Sequence, residues 1–101
     1  MTNSNKKIAV IGAGLTGLTA AFYVKQQKNS FQVFEKESRI GGVIQTHQKG
    51  DFTWESGPST GSISKPEVME LFEDLKALDV LETAKSVSKN RYILKNNKLH
   101  A

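Results

Sequence analysis

Gly12, Gly14 and Gly17 fall within six residues of "GAGLTG" and open an apolar, alanine-rich stretch that runs to Val24. Glycine costs roughly 1 kcal/mol relative to alanine inside a helix, so three of them at the mouth of a helical pattern need a reason. The chemistry this spacing serves is anion binding by the backbone. Gly12 lets the chain turn sharply off a strand, Gly14 puts no side chain between the main chain and a pyrophosphate, and Gly17 lets helix and strand pack closely. The helix that follows presents unpaired N–H groups and the positive end of its dipole to phosphates, so no lysine is required. Glu35 stands 18 residues after Gly17. A carboxylate there accepts hydrogen bonds from a ribose diol and repels a 2′-phosphate.

The elements that must position these residues are legible around them. "IAVI", Ile8 to Ile11, is a short apolar run rich in β-branched residues, as expected for a strand buried on both faces of a parallel sheet. Leu15, Leu18 and Phe22 recur at helical spacing beside Ala20, Ala21 and Val24 until "QQKNS" breaks the pattern, which reads as an amphipathic helix of about three turns. "FQVFE", Phe31 to Glu35, alternates apolar with polar and reads as a second strand. Strand, helix and strand over residues 7–36 make one βαβ unit with a right-handed crossover. The fold class is therefore α/β, the start of a Rossmann-like parallel sheet. A glycine-rich turn alone is a common structural device, and a strand-end acid alone is usually just solvated. Together, after a buried-type strand and before a helix, they form the context a dinucleotide site requires.

Composition limits the rest. At 101 residues the chain holds at most one small domain with a modest core, and 38% hydrophobic and 24% charged residues are ordinary for a globular protein. The absence of cysteine excludes disulfides, thiolate metal sites and a cysteine nucleophile, and fits a reducing compartment, so a cytoplasmic location is expected. The apolar run after Lys6 and Lys7 is four residues long before Gly12, too short for a signal peptide or a bilayer span. Net charge is +4, and no acid follows Glu82, whereas Lys85, Lys89, Arg91, Lys95 and Lys98 do. Such a tail can meet nucleic acid or anionic lipid. Its alternation with Tyr92, Ile93, Leu94 and Leu99 favours instead the solvated face of a strand pair, and no nucleic-acid partner is expected.

"FEKESRIGGVIQTHQKGDFTWESGPST", Phe34 to Thr60, resembles the flavin-binding start of the amine oxidase superfamily of FAD enzymes, and within it the protoporphyrinogen oxidases. The family pattern of an acid ending strand two, an arginine four residues on and a glycine pair maps onto Glu35, Arg39, Gly41 and Gly42, and a later acid-x-Gly-Pro turn maps onto Glu55, Gly57 and Pro58. "NRYILKNNKL" is similar to the hairpin that follows the first helical stretch in protoporphyrinogen oxidases. The resemblance implies FAD as cofactor, held by Gly12, Ala13, Gly14, Leu15, Thr16 and Gly17, by Glu35, Lys36 and Arg39, by Gly41, Gly42 and Val43, and by Gly57, Pro58, Ser59 and Thr60. Val43 is a departure, because many members carry a second arginine directly after the glycine pair. The residues themselves are compatible with that role. The glycine pair lets a loop approach a ligand, and Arg39 can supply charge to a phosphate.

Between Gln45 and Trp54 two short strand-like pieces flank Gly50 and predict a hairpin. His47 lies on it, and with two histidines and no cysteine in the chain no metal site is expected. Trp54 reads as core in preference to a stacking platform. Residues 64–81 read as a second helix: Ser64 and Glu67 make a capping-box pattern, Pro66 is tolerated in the first turn, and Val68, Leu71, Phe72, Leu75 and Leu78 form one apolar stripe. Residues 90–101 read as an incomplete hairpin around Asn96 and Asn97.

The organisation expected is thus a partial FAD/NAD(P)-type dinucleotide-binding domain over 1–101, with a glycine-pair loop and hairpin over 37–60. Members of the resembled family are several times longer, so the chain reads as an amino-terminal piece of an enzyme that, as the resemblance implies, oxidises protoporphyrinogen IX to protoporphyrin IX for haem synthesis. No catalytic side chain is expected in it, and the piece alone is expected to be inactive. An exposed sheet edge and apolar stripe favour self-association, and the resemblance allows peripheral contact of the longer enzyme with a membrane. Two alternatives stand: another member of the superfamily, such as an amine oxidase or a carotenoid-type desaturase, and a non-catalytic nucleotide-binding or interaction module.

Overall fold

A computed structural model describes residues 6–100, which form two compact units divided after Gly61. In the first unit β1 (Lys7–Ile11), α1 (Leu15–Gln26) and β2 (Ser30–Phe34) form the expected βαβ unit, with β1 and β2 parallel and Val10 opposite Val33. The Gly12 N–H carries the ladder one step past β1 by donating to the Phe34 carbonyl at 2.7 Å. Glu35 is therefore the first residue beyond β2, at the carboxyl end of the sheet. The core consists of Val10, Ala13 and Ala21. β1 is not buried on both faces as its composition predicts: Ile11 is 79% exposed, because among the described residues its sheet has two strands. The apolar residues of α1 do not all face inward either, since Leu15 is exposed while Ala21 is buried.

α1 ends in a Schellman motif. Lys28 has a φ of 59° and donates to the Lys25 carbonyl, while the Asn29 N–H reaches back to Val24. The sequence carries no glycine there to announce it. After the loop of residues 36–45, β3 (Thr46–Lys49) and β4 (Phe52–Glu55) pair antiparallel across a two-residue turn at Gly50 and Asp51, as expected. Trp54 is a correction to the reading as core. It is 48% exposed and stacks on His47, its cross-strand partner, with ring centroids 5.4 Å apart. A two-stranded hairpin has no second layer to bury it, so the aromatic pair shields itself.

The second unit begins with α2 (Pro66–Asp74), half the length that the apolar stripe predicts. Its amino end is set by Pro66, which drives Lys65 into the extended conformation and makes it the N-cap, so the Ser64–Glu67 capping box does not form. Its carboxyl end is a second Schellman motif with Lys76 at a φ of 55°: the Lys76 N–H bonds Glu73 and the Ala77 N–H bonds Phe72. Leu78 thus falls in a separate 3₁₀ turn, Leu78–Val80. A second 3₁₀ turn, Ser86–Lys89, precedes β5 (Ile93–Lys95) and β6 (Lys98–His100). Asn96 and Asn97 join this hairpin with φ values of 51° and 57°, the pattern of a type I′ turn. No helix among the described residues is long and apolar enough to cross a membrane.

Candidate functional site

The site residues gather at the carboxyl end of the parallel strands, where open α/β sheets bind their ligands. Gly12 leaves β1, Gly14 serves as the N-cap of α1, and Leu15, Thr16 and Gly17 form its first turn. The N–H groups of that turn have no acceptor inside the helix. Gly17 packs where its position predicts: a methyl placed on it would overlap the Gly12 carbonyl oxygen and lie 3.5 Å from Val10 Cγ1. Close approach of helix to strand is thus bought at this glycine.

Glu35 ties the turn to the second strand. Its Oε2 accepts the Ala13 N–H at 2.7 Å and its Oε1 accepts the Glu37 N–H at 2.9 Å. A carboxylate has about four acceptor positions, so both oxygens keep one for a diol. The two backbone donors, Glu37 first and Ala13 second, hold the Glu35 carboxyl below the ordinary glutamate value of 4.5. The acid is ionised wherever the chain is folded at neutral pH. Lys36 is exposed and pairs with Glu37 at 3.7 Å.

The glycine-pair loop closes over the first turn from the opposite side. The Gly41 N–H donates to the Ala13 carbonyl at 2.8 Å, and the Ile44 N–H returns to Gly41 at 3.1 Å. Gly41 and Gly42 have φ values of 109° and 60°, conformations that L side chains rarely adopt, and a methyl on Gly42 would come 3.1 Å from the Gly14 Cα. Backbone therefore packs directly on backbone at Gly14 and Gly42. The Arg39 guanidinium lies against the backbone of this loop. Its Nη2 donates to the Gly42 carbonyl at 2.5 Å, and its Nη1 donates to Ile40 at 3.3 Å and Ile44 at 3.5 Å.

A cleft of about 740 Å³ opens between these elements, lined by Gly12, Glu35, Lys36, Arg39, Gly42 and Val43 among the expected residues. Ile11, Phe34, Glu37, Ser38 and Gln45 complete it. Ile11 and Phe34 are opposite one another at the last rung of the ladder and supply its apolar wall. Their position at the carboxyl ends of two parallel strands was the available signal, hidden because both read as ordinary strand residues. Gly57 lies behind the loop, where a methyl would overlap the Val43 carbonyl. Pro58, Ser59 and Thr60 are exposed and do not line the cleft.

Residues 10–75 match the model of the NAD(P)-binding Rossmann-like domain family. The chain belongs to that family. Among curated relatives of this Rossmann-like domain, protoporphyrinogen oxidase 2, chloroplastic/mitochondrial, of Arabidopsis thaliana is 36% identical over 93 residues, 92% of this chain and 18% of its own length. Coproporphyrinogen III oxidase of Staphylococcus aureus is 36% identical over 97 residues, 94% of this chain and 20% of its own. A 4,4'-diapophytoene desaturase of Staphylococcus aureus is 45% identical over 53 residues, 52% of this chain and 11% of its own. The Rossmann-like chain thus spans about a fifth of the length of the porphyrinogen oxidases it matches. The resemblance read from Glu35, Arg39 and the glycine pair holds: its relatives are of the flavin amine oxidase superfamily.

Proposed function

We propose that this chain binds the adenosine diphosphate part of FAD as the amino-terminal segment of an oxidoreductase that oxidises a porphyrinogen to the corresponding porphyrin. The observation that carries the reading is the cleft at the carboxyl ends of β1 and β2, lined by Gly12, the Glu35 carboxylate and Gly42, with the unpaired amides of the first turn of α1 beginning three residues after Gly12. The donor set fits the group. Amides and a helix amino terminus suit a pyrophosphate, and a ribose diol suits a carboxylate with spare lone pairs.

FAD, when bound, supplies the redox chemistry through its isoalloxazine ring. The chain's own residues bind and orient. The first-turn amides of Leu15, Thr16 and Gly17 donate to the pyrophosphate, Glu35 accepts from the ribose hydroxyls, and the loop at Gly41, Gly42 and Val43 excludes water from one side. Lys36 lines the cleft, and the resemblance assigns Gly57 to Thr60 to the flavin side of the cofactor. None of these residues transfers a proton or an electron to substrate, so the 101-residue chain alone turns nothing over. The absence of cysteine fits a reducing compartment such as the cytoplasm.

The porphyrinogen reading is favoured over the desaturase reading by extent. The match to porphyrinogen oxidases covers 92–99% of the chain, whereas the desaturase match covers 52%. The test is substrate choice by the whole FAD-loaded protein. Porphyrin fluorescence is expected to rise with protoporphyrinogen IX or coproporphyrinogen III, with no oxidation of 4,4'-diapophytoene or of a panel of amines. Oxidation of the polyene or of an amine alone would remove the porphyrinogen assignment.

A further inference from the structure

We propose that Arg39 is a positioning residue that braces the glycine-pair loop, and that it is not the counter-charge of a bound phosphate. The guanidinium spans residues 40–44 and donates to three backbone carbonyls, with its shortest bond to Gly42, the residue whose backbone packs on Gly14. These carbonyls belong to a loop whose own backbone bonding is sparse: one N–H to Ala13 from Gly41 and one return bond from Ile44 to Gly41. Two consecutive glycines carry the largest conformational entropy a chain can lose on ordering. A loop of that kind needs an external tie, and the planar fork of arginine can bridge several carbonyls at once.

The surrounding charges agree. Val43 follows the glycine pair, so no second arginine is at hand to share the work, and the cleft's other cation, Lys36, pairs with Glu37. Anion binding then falls to backbone amides, and the arginine serves to hold the glycine-pair loop in shape against Ala13 and Gly14. Lysine at position 39 would keep the charge and lose the fork.

Hydrogen exchange of the ligand-free chain tests the brace independently of any cofactor, with Arg39→Lys and Arg39→Met compared and the paired amides of β3 and β4 as internal reference for folding. The proposal predicts that the Gly41 and Ile44 amides exchange about tenfold faster in both variants, with the hairpin unchanged. Titration with FAD should then show the same loss, about tenfold, in both. Unchanged exchange at Gly41 and Ile44, or free-chain exchange there already in the unsubstituted protein, would overturn the brace. So would near-normal FAD affinity in Arg39→Lys beside a large loss in Arg39→Met, the signature of a phosphate counter-charge. Because the brace rests on the FAD reading only in its second arm, failure of the unsubstituted chain to bind FAD would leave the exchange result to decide it.

Discussion

Gly17→Ala is expected to lower the urea midpoint of unfolding by about 1–2 M, while Gly61→Ala leaves it within a few tenths of a molar. Two effects compete at position 17. Alanine in place of glycine favours the helix by roughly 0.5–1 kcal/mol. Against that, the new methyl overlaps the Gly12 carbonyl oxygen, a backbone atom that no rotamer change can move aside. Overpacking of this kind costs about 1–3 kcal/mol or more, and the core it disturbs is Val10, Ala13 and Ala21. The cost wins. At Gly61 a methyl meets nothing within 4 Å, so only the unfolded chain feels the change. Equal or greater stability of Gly17→Ala would mean that α1 does not lie against Gly12 as described.

Glu35→Gln is expected to weaken FAD by about ten- to a hundredfold, since hydrogen bonds to a charged acceptor are roughly twice as strong as neutral ones. The glutamine amide also turns an N–H₂ group toward a donor, either the Ala13 N–H or the Glu37 N–H, that the carboxylate satisfied. Selectivity should change with affinity. The native chain is expected to prefer ADP-ribose over its 2′-phosphorylated form, and the variant to lose much of that preference because the repelling charge is gone. Unchanged affinity and unchanged selectivity would place the ribose elsewhere.

The same acid carries a pH signature. The Glu35 carboxyl is lowered from 4.5 in the folded chain by the Glu37 and Ala13 N–H donors. A group whose folded value lies below its unfolded value contributes stability that is complete above the unfolded value and is lost as pH falls through the folded one. The urea midpoint of the native chain should therefore fall with pH in the range below 4.5, and that of Glu35→Gln should be flatter there. Parallel pH profiles would show that the two backbone bonds to Glu35 contribute nothing to the folded state.

The parts of this molecule that a linear pattern specifies were legible in it. Gly12 and Gly17 announce a turn and a close contact because a positive φ at the one and the Gly12 carbonyl against the other favour glycine, and Glu35 follows from the length of one helix and one strand. The turn at Gly50 and the paired asparagines at 96 and 97 are equally local. Helix ends were less legible. Lys28 and Lys76 occupy the left-handed position usually given to glycine, so the apolar stripe from Val68 to Leu78 continues past a helix that has already stopped at Asp74. Burial was misjudged for Ile11 and Trp54, since strand composition reports what a residue prefers and not how many layers cover it. The role of Arg39 was hidden because its partners are main-chain carbonyls, which have no letter in the sequence.

The central claim, that this chain forms the adenosine-diphosphate half of an FAD site, is tested most directly by calorimetric titration of the 101-residue chain with FAD and, in parallel, with NADP. Saturable binding of one FAD per chain, with markedly weaker binding of the 2′-phosphorylated NADP, is the result expected. No FAD binding by a chain whose circular dichroism and hydrogen exchange show the folded βαβ unit, or a preference for NADP, would contradict it.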